Sequence, residues 1–514
     1  MQTSFRILSG TARPLTLAAL SLAIVGALVA PSNADASAFQ LKENSAKAMG
    51  RAYAGSATAG GDVSVVVNNP AAMSDLKGTY LQADVTAINF STKFSGTATD
   101  VMGRPIEGGN GGDGGTTLPV PALFFATQVS DRMHLGFGFS VPFGFQTEYD
   151  RNWKGRYGAV KSKFQSLDAT LSASFDVTDN FSLGASVIAQ KTSAELTSAI
   201  NYNAVGLSIQ QGIPAAAAAT AAKQIAPLIA QVQAAVAAGA MSQAQASAQI
   251  AAIQAQAQQM ATAAATAGAA NVAAATPPGG DGFARIKGDD WAYGWQLGGY
   301  WKLSPNDKLA LNYRSKISHT LEGTGNFTTT AGYDALLANP QLAASIPPFQ
   351  HTTGTADFTT PAVASASYWH QAERFGLGID LAWTKWSAFQ DLTVNYGNSQ
   401  PSTTEHYNWR NTWYASVGGD YNVNDKLTVR AGVAVDSTPT YLATRSARVP
   451  DSTRKLATVG LSYQASDNFE INASYAHIFV NNAHVDTIDS TGNRLAGNFE
   501  DYGNLLGVSA TYKF

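Results

Sequence analysis

Apolar and polar residues alternate along most of this chain with a period of two, the pattern of β-strands whose two faces meet different environments. From Phe375 to Trp383 every odd-numbered residue is apolar or aromatic, whereas the even-numbered residues are small or, at Asp380, acidic. Leu427–Ala434 alternates in the same way and places Arg430 in its polar register. Because an arginine facing lipid costs roughly 2–4 kcal/mol at mid-bilayer, the polar register is predicted to face an interior and the apolar register to face lipid.

Fourteen runs of this kind, separated by turn residues, are predicted along the chain. Short polar turns alternate with long loops between them, and the last run ends at the aromatic residue Phe514. An even strand number is typical of bacterial outer-membrane barrels, so the predicted fold class is an all-β, 14-stranded antiparallel transmembrane β-barrel. The predicted strands are 79–91, 117–129, 132–145, 166–178, 181–199, 284–303, 307–325, 355–370, 373–384, 408–423, 426–437, 454–465, 468–482 and 503–514.

The N-terminus lacks this alternation. Residues 1–36 combine early arginines with an apolar run and small residues, which predicts a signal peptide cleaved after Ala36 or Ala38. Residues 37–78 are rich in Ser, Ala and Gly and are predicted to form a plug inside the lumen. Residues 79–514 then form the barrel.

The long loop 200–283 contains a stretch, 214–276, that is dominated by Ala and Gln and carries Lys223 as its only charge. Its aliphatic residues recur at spacings of three and four, which predicts two helices broken near Gly239. A disordered low-complexity insertion is the alternative.

Composition narrows the function classes. Charged residues make up 13% of the chain, about half the usual share in soluble domains, and the formal net charge of −3 makes nucleic acid an unsuitable partner. The absence of cysteine excludes disulfides. The seven histidines show no metal-ligand spacing and no Gly-x-Ser-x-Gly motif occurs, so we expect neither an enzyme nor a bound cofactor or metal.

Several motifs carry a resemblance to a known family. The segments Phe39–Ser45, Met49–Gly55 and Asn69–Met73 resemble the N-terminal plug signature of the FadL family, outer-membrane transporters of long-chain fatty acids and other hydrophobic compounds. The similarity continues in family order through 141–157, 383–389, 409–413 and 430–451. The plug-motif residues that match are Gly50, Arg51, Tyr53, Asn69, Pro70 and Ala71.

The resemblance implies a lumen blocked by the plug, an external apolar groove and a tighter inner pocket. It also implies lateral exit through a gap opened by an inward kink of the third strand, which falls here on Pro142, Phe143 and Gly144. Proline removes a ladder donor and glycine permits a bend, so the residues suit a break in strand pairing. The alternative is that Pro142 merely ends the strand at the rim.

The resemblance also suggests ligand-binding residues. By motif position Phe39 would insert into the inner pocket, although it could instead anchor the plug by packing. Lys191, Arg430 and Arg448 are candidates to meet a carboxylate; alternatively, such cations pair with acids such as Asp380 or Asp420.

The expected function is passive uptake of hydrophobic small molecules across the outer membrane of a Gram-negative bacterium. Long-chain fatty acids are the first candidate substrate. Aromatic or aliphatic hydrocarbons taking the same route, or a general porin, are the alternatives, and a barrel enzyme or adhesin working through the Ala/Gln-rich loop is a further rival. The expected partners are the hydrophobic substrate and outer-membrane lipid, and the expected oligomeric state is a monomer.

Overall fold

The computed structural model describes residues 39–58, 61–340, 346–489 and 492–514. The predicted signal peptide lies outside the described residues. The described chain forms a closed antiparallel barrel of fourteen wall strands, several of which are interrupted by a short break. The strands are β1 (Thr79–Thr99), β2 (Thr117–Ser130), β3 (Met133–Ser140 and Gly144–Glu148), β4 (Lys161–Thr178), β5 (Phe181–Ile200), β6 (Gly282–Lys302), β7 (Asp307–Arg314 and Ile317–Thr328), β8 (Thr352–Thr360 and Val363–Gln371), β9 (Phe375–Thr384 and Asp391–Tyr396), β10 (Thr403–His406 and Thr412–Asn422), β11 (Leu427–Asp436), β12 (Arg454–Ser466), β13 (Phe469–Val480 and Ala483–Ile488) and β14 (Arg494–Lys513).

The barrel closes between β1 and β14, which pair from Tyr80 and Lys513 to Thr99 and Arg494. The predicted fold class and strand number are confirmed, but the strands at the two ends of the barrel are longer than predicted: β1 continues beyond 91, and β14 begins before 503. In these extensions the outward side chains are polar, such as Lys93 and Glu500, whereas Phe94 and Phe499 face inward. They therefore lack the apolar outer face that identifies a strand in contact with lipid.

The two faces of the wall differ as the sequence predicts. On β5 the side chains of Leu183 and Val187 are exposed on the outside, whereas Ser182 and Ser186 are buried inside. The outer face is therefore the apolar surface that a bilayer covers.

The described residues between 39 and 78 lie inside the barrel, and we call this segment the plug. It contains helix α1 (Ala46–Met49), helix α2 (Val65–Asn68) and a 3-10 turn (Pro70–Asp75). The Ser45 side chain caps α1 and its hydroxyl donates to Asp62 at 2.7 Å. Asp62 in turn accepts a hydrogen bond from the wall residue Gln82 at 3.1 Å.

Ion pairs attach the plug to well-separated parts of the wall. Lys47 meets Glu470 of β13 at 2.8 Å, and Arg51 meets Asp420 of β10 at 3.2 Å. Asp75, at the end of the plug, contacts Lys308 of β7 at 2.5 Å. These charges are largely withdrawn from solvent, so removing one partner would leave an uncompensated buried charge.

The Ala/Gln-rich loop forms two long helices, α3 (Tyr202–Ala237) and α4 (Gln243–Ala275), joined by a turn in which Gly239 has a φ of +71°. The helical alternative is confirmed. By length and composition α3 could cross a membrane. Because β5 ends and β6 begins at the same rim, the hairpin instead leaves and returns on one side of the barrel. Helix α5 (Ala331–Leu337) lies in a separate loop at this rim and packs against α4.

We predict that Gly432→Val loosens the plug while the barrel still forms. A Cβ at Gly432 of β11 would lie 2.3 Å from the carbonyl carbon of Arg51, so a larger side chain must displace the plug backbone. Such overpacking costs about 1–3 kcal/mol. Planar-bilayer recording should show a raised ion conductance. Gly109→Val, where a Cβ meets no atom within 4 Å, is the control and should conduct like the wild type.

Candidate functional site

The wall is open where β3 breaks. Met133–Ser140 pairs with β2 as far as Leu123, whereas β4 is the only described strand that forms a ladder with Gly144–Glu148. The first six residues of β2, 117–122, therefore have β1 as their ladder partner on one side and no described partner on the side facing β3. The result is a gap in the wall between β2 and the second piece of β3.

The inward segment between the two pieces of β3 is stable because its backbone finds other partners. The Phe143 amide donates to the hydroxyl of Ser166 in β4 at 3.1 Å. The Ser166 amide donates in return to the Phe143 carbonyl at 2.9 Å. Gly144 donates to the carbonyl of Phe39 at 2.9 Å, and the Leu41 amide donates to Pro142 at 2.8 Å. The start of the plug thus takes the place of β2 as strand partner.

The opposite edge of the gap is built from Leu118, Pro119, Val120 and Pro121. Proline has no amide hydrogen, so it is tolerated in a sheet mainly at an edge. Two prolines at alternate positions suit a strand segment that has a neighbour on one side only. These two prolines were a missed signal in the sequence, because only the proline in β3 was considered.

A cavity of about 340 Å³ lies inside the barrel directly behind the gap. This volume lies at the lower end of the roughly 300–1,000 Å³ typical of small-molecule pockets. Both edges of the gap line it, so the cavity and the wall opening are continuous. Its apolar lining includes Phe39, Leu41, Ile88, Phe90, Leu118, Val120, Val141, Phe145, Phe164, Val449, Ile478 and Val480. We call it the inner cavity.

Phe39 has an exposed fraction of 3% and lies within a cluster of aromatic rings. The ring centroids of Phe164 and Trp386 are 4.8 Å from that of Phe39, and those of Phe145 and Trp409 are 5.3 Å away. Because Phe39 also lines the inner cavity, its side chain both anchors the plug and forms part of the cavity wall.

Arg448 lies in the loop after β11 and lines both the inner cavity and a larger outer cavity of about 570 Å³ among the long loops. Its guanidinium donates to Glu405 at 2.7 Å, and Glu405 also accepts a hydrogen bond from the Tyr407 hydroxyl at 2.8 Å. Burial alone would lower the pKa of Arg448, but the adjacent Glu405 carboxylate raises it, so the arginine stays charged.

The other two candidate cations lie elsewhere. Lys191 is on the outer face of β5, 3.2 Å from Asp289, and does not line either cavity. Arg430 is inside the barrel, 3.2 Å from Asp420, and belongs to the contact between plug and wall. Each is paired with an acid, which is the alternative that sequence analysis left open.

The plug-motif residues pack against the wall. Gly50 lies so close to β12 that a Cβ would be 3.0 Å from the Gly460 Cα, and Tyr53 is buried with a φ of 59°. The Asn69 side chain caps the 3-10 turn by accepting from the Ala71 amide at 3.1 Å. These residues, with Arg51 and Pro70, hold the plug in place, and none of them lines the inner cavity.

Three acidic residues that line the inner cavity, Glu43, Asp451 and Asp501, were missed. Glu43 belongs to the plug motif but was not assigned a role; burial raises its pKa. Asp501 lies in the part of β14 that was not predicted as strand. Its register with Phe499 and Gly503, both of which face the interior, could have identified it.

Comparisons with known proteins agree with this geometry. Residues 27–514 match the family model described as "Outer membrane protein transport protein (OMPP1/FadL/TodX)". Outer membrane protein P1 of Haemophilus influenzae is 24% identical over 514 residues, covering 96% of this chain and 99% of the relative. A long-chain fatty acid transport protein of Escherichia coli is 24% identical over 464 residues, covering 89% and 90%.

Solved structures show the same architecture. The crystal structure of a Pseudomonas aeruginosa FadL homologue has a TM-score of 0.75 and 30% identity, covering 93% of this chain and 100% of that one. The Pseudomonas putida toluene transporter TodX has a TM-score of 0.59 at 17% identity with the same coverage, a likeness of fold alone.

We predict that Phe39→Ala releases the start of the plug from the aromatic cluster. Truncating a buried phenylalanine costs about 3–5 kcal/mol, so the hydrogen bonds of Leu41 and Gly144 should open more often. Hydrogen exchange measured by mass spectrometry should show faster exchange in both segments. Phe375→Ala, at a side chain 52% exposed on the outer face, is the control. Unchanged protection in the Phe39 variant would contradict an anchoring role.

Proposed function

Because the chain belongs to the OMPP1/FadL/TodX family of outer-membrane transport proteins, we propose that it takes up long-chain fatty acids and releases them sideways into the outer membrane. The observation that carries the proposal is the continuity between the apolar inner cavity and the gap from β2 to β3. A hydrophobic molecule in that cavity can reach lipid without crossing the polar lumen.

The proposed route begins among the long loops, which lie on the extracellular side. The outer cavity captures the molecule. Arg448, which is paired with Glu405, lines both cavities and lies at their boundary. The molecule then passes into the inner cavity and leaves between Leu118 and Gly144. The plug supports this route because it fills the lumen between the inner cavity and the periplasmic rim with packed side chains.

Tight binding makes a release mechanism necessary. At roughly 0.8 kcal/mol per buried methylene, a sixteen-carbon chain gains on the order of 10 kcal/mol in a dry site. Phe39 is the proposed release element, because its ring forms part of the cavity and its backbone pairs with Gly144. Displacement of the plug's first residues would enlarge the cavity and loosen the strand break together.

Neutral hydrocarbons by the same route are the second candidate. The apolar lining favours them as much as a fatty-acid tail, and Arg448 is already paired with Glu405. A general porin would need an open aqueous channel. The filled lumen supports transport through the wall instead.

We predict that tying the two edges of the gap together blocks uptake. The chain contains no cysteine, so Leu118→Cys with Gln146→Cys can be joined selectively by a short, reducible bis-maleimide. Uptake of radiolabelled hexadecanoic acid and of toluene by cells expressing the protein should fall to the level of cells lacking it. Cleavage of the linker should restore uptake.

A matched pair controls for the linker itself. Phe125 and Phe137 lie directly opposite each other on the outer face of the paired part of β2 and β3, so linking cysteines there should not change uptake. Undiminished transport through the barrel linked at 118 and 146 would refute lateral exit at this gap.

A further inference from the structure

The outer face of β4, β5 and β6 carries basic residues above the level of its aromatic side chains. Trp291, Tyr293 and Trp295 of β6 are exposed on this face. Exposed aromatic rings mark the boundary between the hydrocarbon region and the lipid head groups. Lys287 precedes Trp291 by four residues toward the long loop, which is about 13 Å along the strand at roughly 3.3 Å per residue. Lys287 therefore lies at the level of the head groups.

The strand register places these basic residues in two pairs on either side of Glu195. Lys163 of β4 and Lys287 of β6 lie directly opposite Glu195 of β5. Lys161 of β4 and Arg285 of β6 occupy the next row of the same face, one step nearer the loops. Neighbouring strands are about 4.8 Å apart, so the pair on β4 and the pair on β6 are separated by about 10 Å. We call these four cations the basic patch.

Two acids share these rows with the basic patch. Arg285 donates to Glu195 at 2.9 Å, and Lys161 meets Glu148 of β3 at 3.1 Å. Lys161 and Lys163 also act electrostatically on Glu195, so one carboxylate serves several cations. Four cations and two acids give the two rows a formal charge of +2.

The row below these two contains acids. Asp289 of β6 is 3.2 Å from Lys191 of β5 and lies opposite Glu322 of β7. Counting these three residues as well leaves the face with a formal charge of +1. The positive charge is therefore concentrated at the loop end of the face, at the level of the head groups.

We propose that the basic patch binds the head group of an outer-leaflet glycolipid that carries two phosphates. One phosphate lies between the two lysines of β4, and the other lies between Arg285 and Lys287 of β6. Basic side chains beside a membrane attract anionic head groups, and both residue types donate to phosphate oxygens. The acyl chains then lie against the apolar outer face below, along Leu183 and Val187 of β5.

The position of Glu195 favours a head group with two phosphates over one with a single phosphate. Its carboxylate lies between the two cation pairs and repels a phosphate placed at the centre of the patch. A disaccharide with a phosphate at each end places neutral sugar opposite Glu195 and a phosphate beside each cation pair. Lipid A, an acylated glucosamine disaccharide, has this chemistry.

The test measures binding of lipid A to the purified full-length protein in non-ionic detergent by native mass spectrometry. Three forms with the same acyl chains are compared, which carry two phosphates, one phosphate or none. The affinity should fall with each phosphate removed. Added salt should weaken the form with two phosphates most, because exposed charges are screened.

The double variant Arg285→Gln with Lys287→Gln removes the cation pair of β6. At about fivefold per basic residue, it should weaken binding of the form with two phosphates about thirtyfold. The forms with two phosphates and with one should then bind equally, because only the pair on β4 remains. Lys93→Gln with Lys455→Gln removes the same charge from the outer face of β1 and β12 and is the matched control. The control should keep the wild-type preference for two phosphates.

Glu195→Gln should change the affinity in the opposite direction. Removing the carboxylate between the two phosphates should tighten binding of the form with two phosphates about fivefold. Glu500→Gln on β14, which lies opposite Lys93, is the matched control and should bind like the wild type. Weaker binding by Glu195→Gln would show that the acid only supports the strands, which would contradict the proposed arrangement.

Equal wild-type affinity for lipid A with and without phosphate would overturn the inference. A preference for two phosphates that persists in the double variant of β6 would overturn it as well. Binding of phosphatidylglycerol as tight as that of lipid A would also count against it, since any anionic lipid would then suffice. Folding of each variant is checked by heat-modifiable electrophoretic mobility, and the phosphate series on the wild type decides the question even if a variant does not fold.

Discussion

The architecture depends on one constraint: inside a membrane every backbone N–H and C=O of the wall needs a partner within the protein. A closed barrel meets it everywhere except where a strand leaves its neighbour. At the break in β3 the carbonyl of Pro142 and the amide of Gly144 lose β2, and the first residues of the plug replace it. On the other edge, Pro119 and Pro121 lack the donors that would otherwise be left unpaired. The opening is thus compatible with a stable wall.

The same constraint explains where the charges lie. Arg51, Asp420 and Arg430 form one buried group that joins the plug to β10 and β11, and Lys47 with Glu470 forms another. These pairs are inside the barrel because the outer face must remain apolar at the level of the lipid.

The wall was largely predictable from the sequence, because a strand between lipid and lumen must alternate. The alternation located all fourteen strands and the polar registers of Asp380 and Arg430. It could not locate the ends of β1 and β14, because their outward side chains are polar, and Asp501 was missed for that reason. It also could not show that Lys191 lies on the outer face, since a lysine above the lipid is free to occupy either register. The position of Arg448 at the cavity could not be predicted either. Its loop folds inward through contacts between residues far apart in sequence, such as the hydrogen bond from the Thr147 hydroxyl to the Arg448 carbonyl.

The plug and the gap are joined at Phe39. The Phe39 ring fills the space beside the inner cavity, while the Phe39 carbonyl holds the Gly144 amide. A ligand that displaces the ring therefore acts on the same residue that holds the strand break. If the carbonyl moves with the ring, the Gly144 amide loses its partner at the mouth of the opening, where a departing polar head group or water can accept that hydrogen bond. On the proposed route, occupancy of the cavity and the width of the exit would be coupled through Phe39, without a signal that travels through the rest of the barrel.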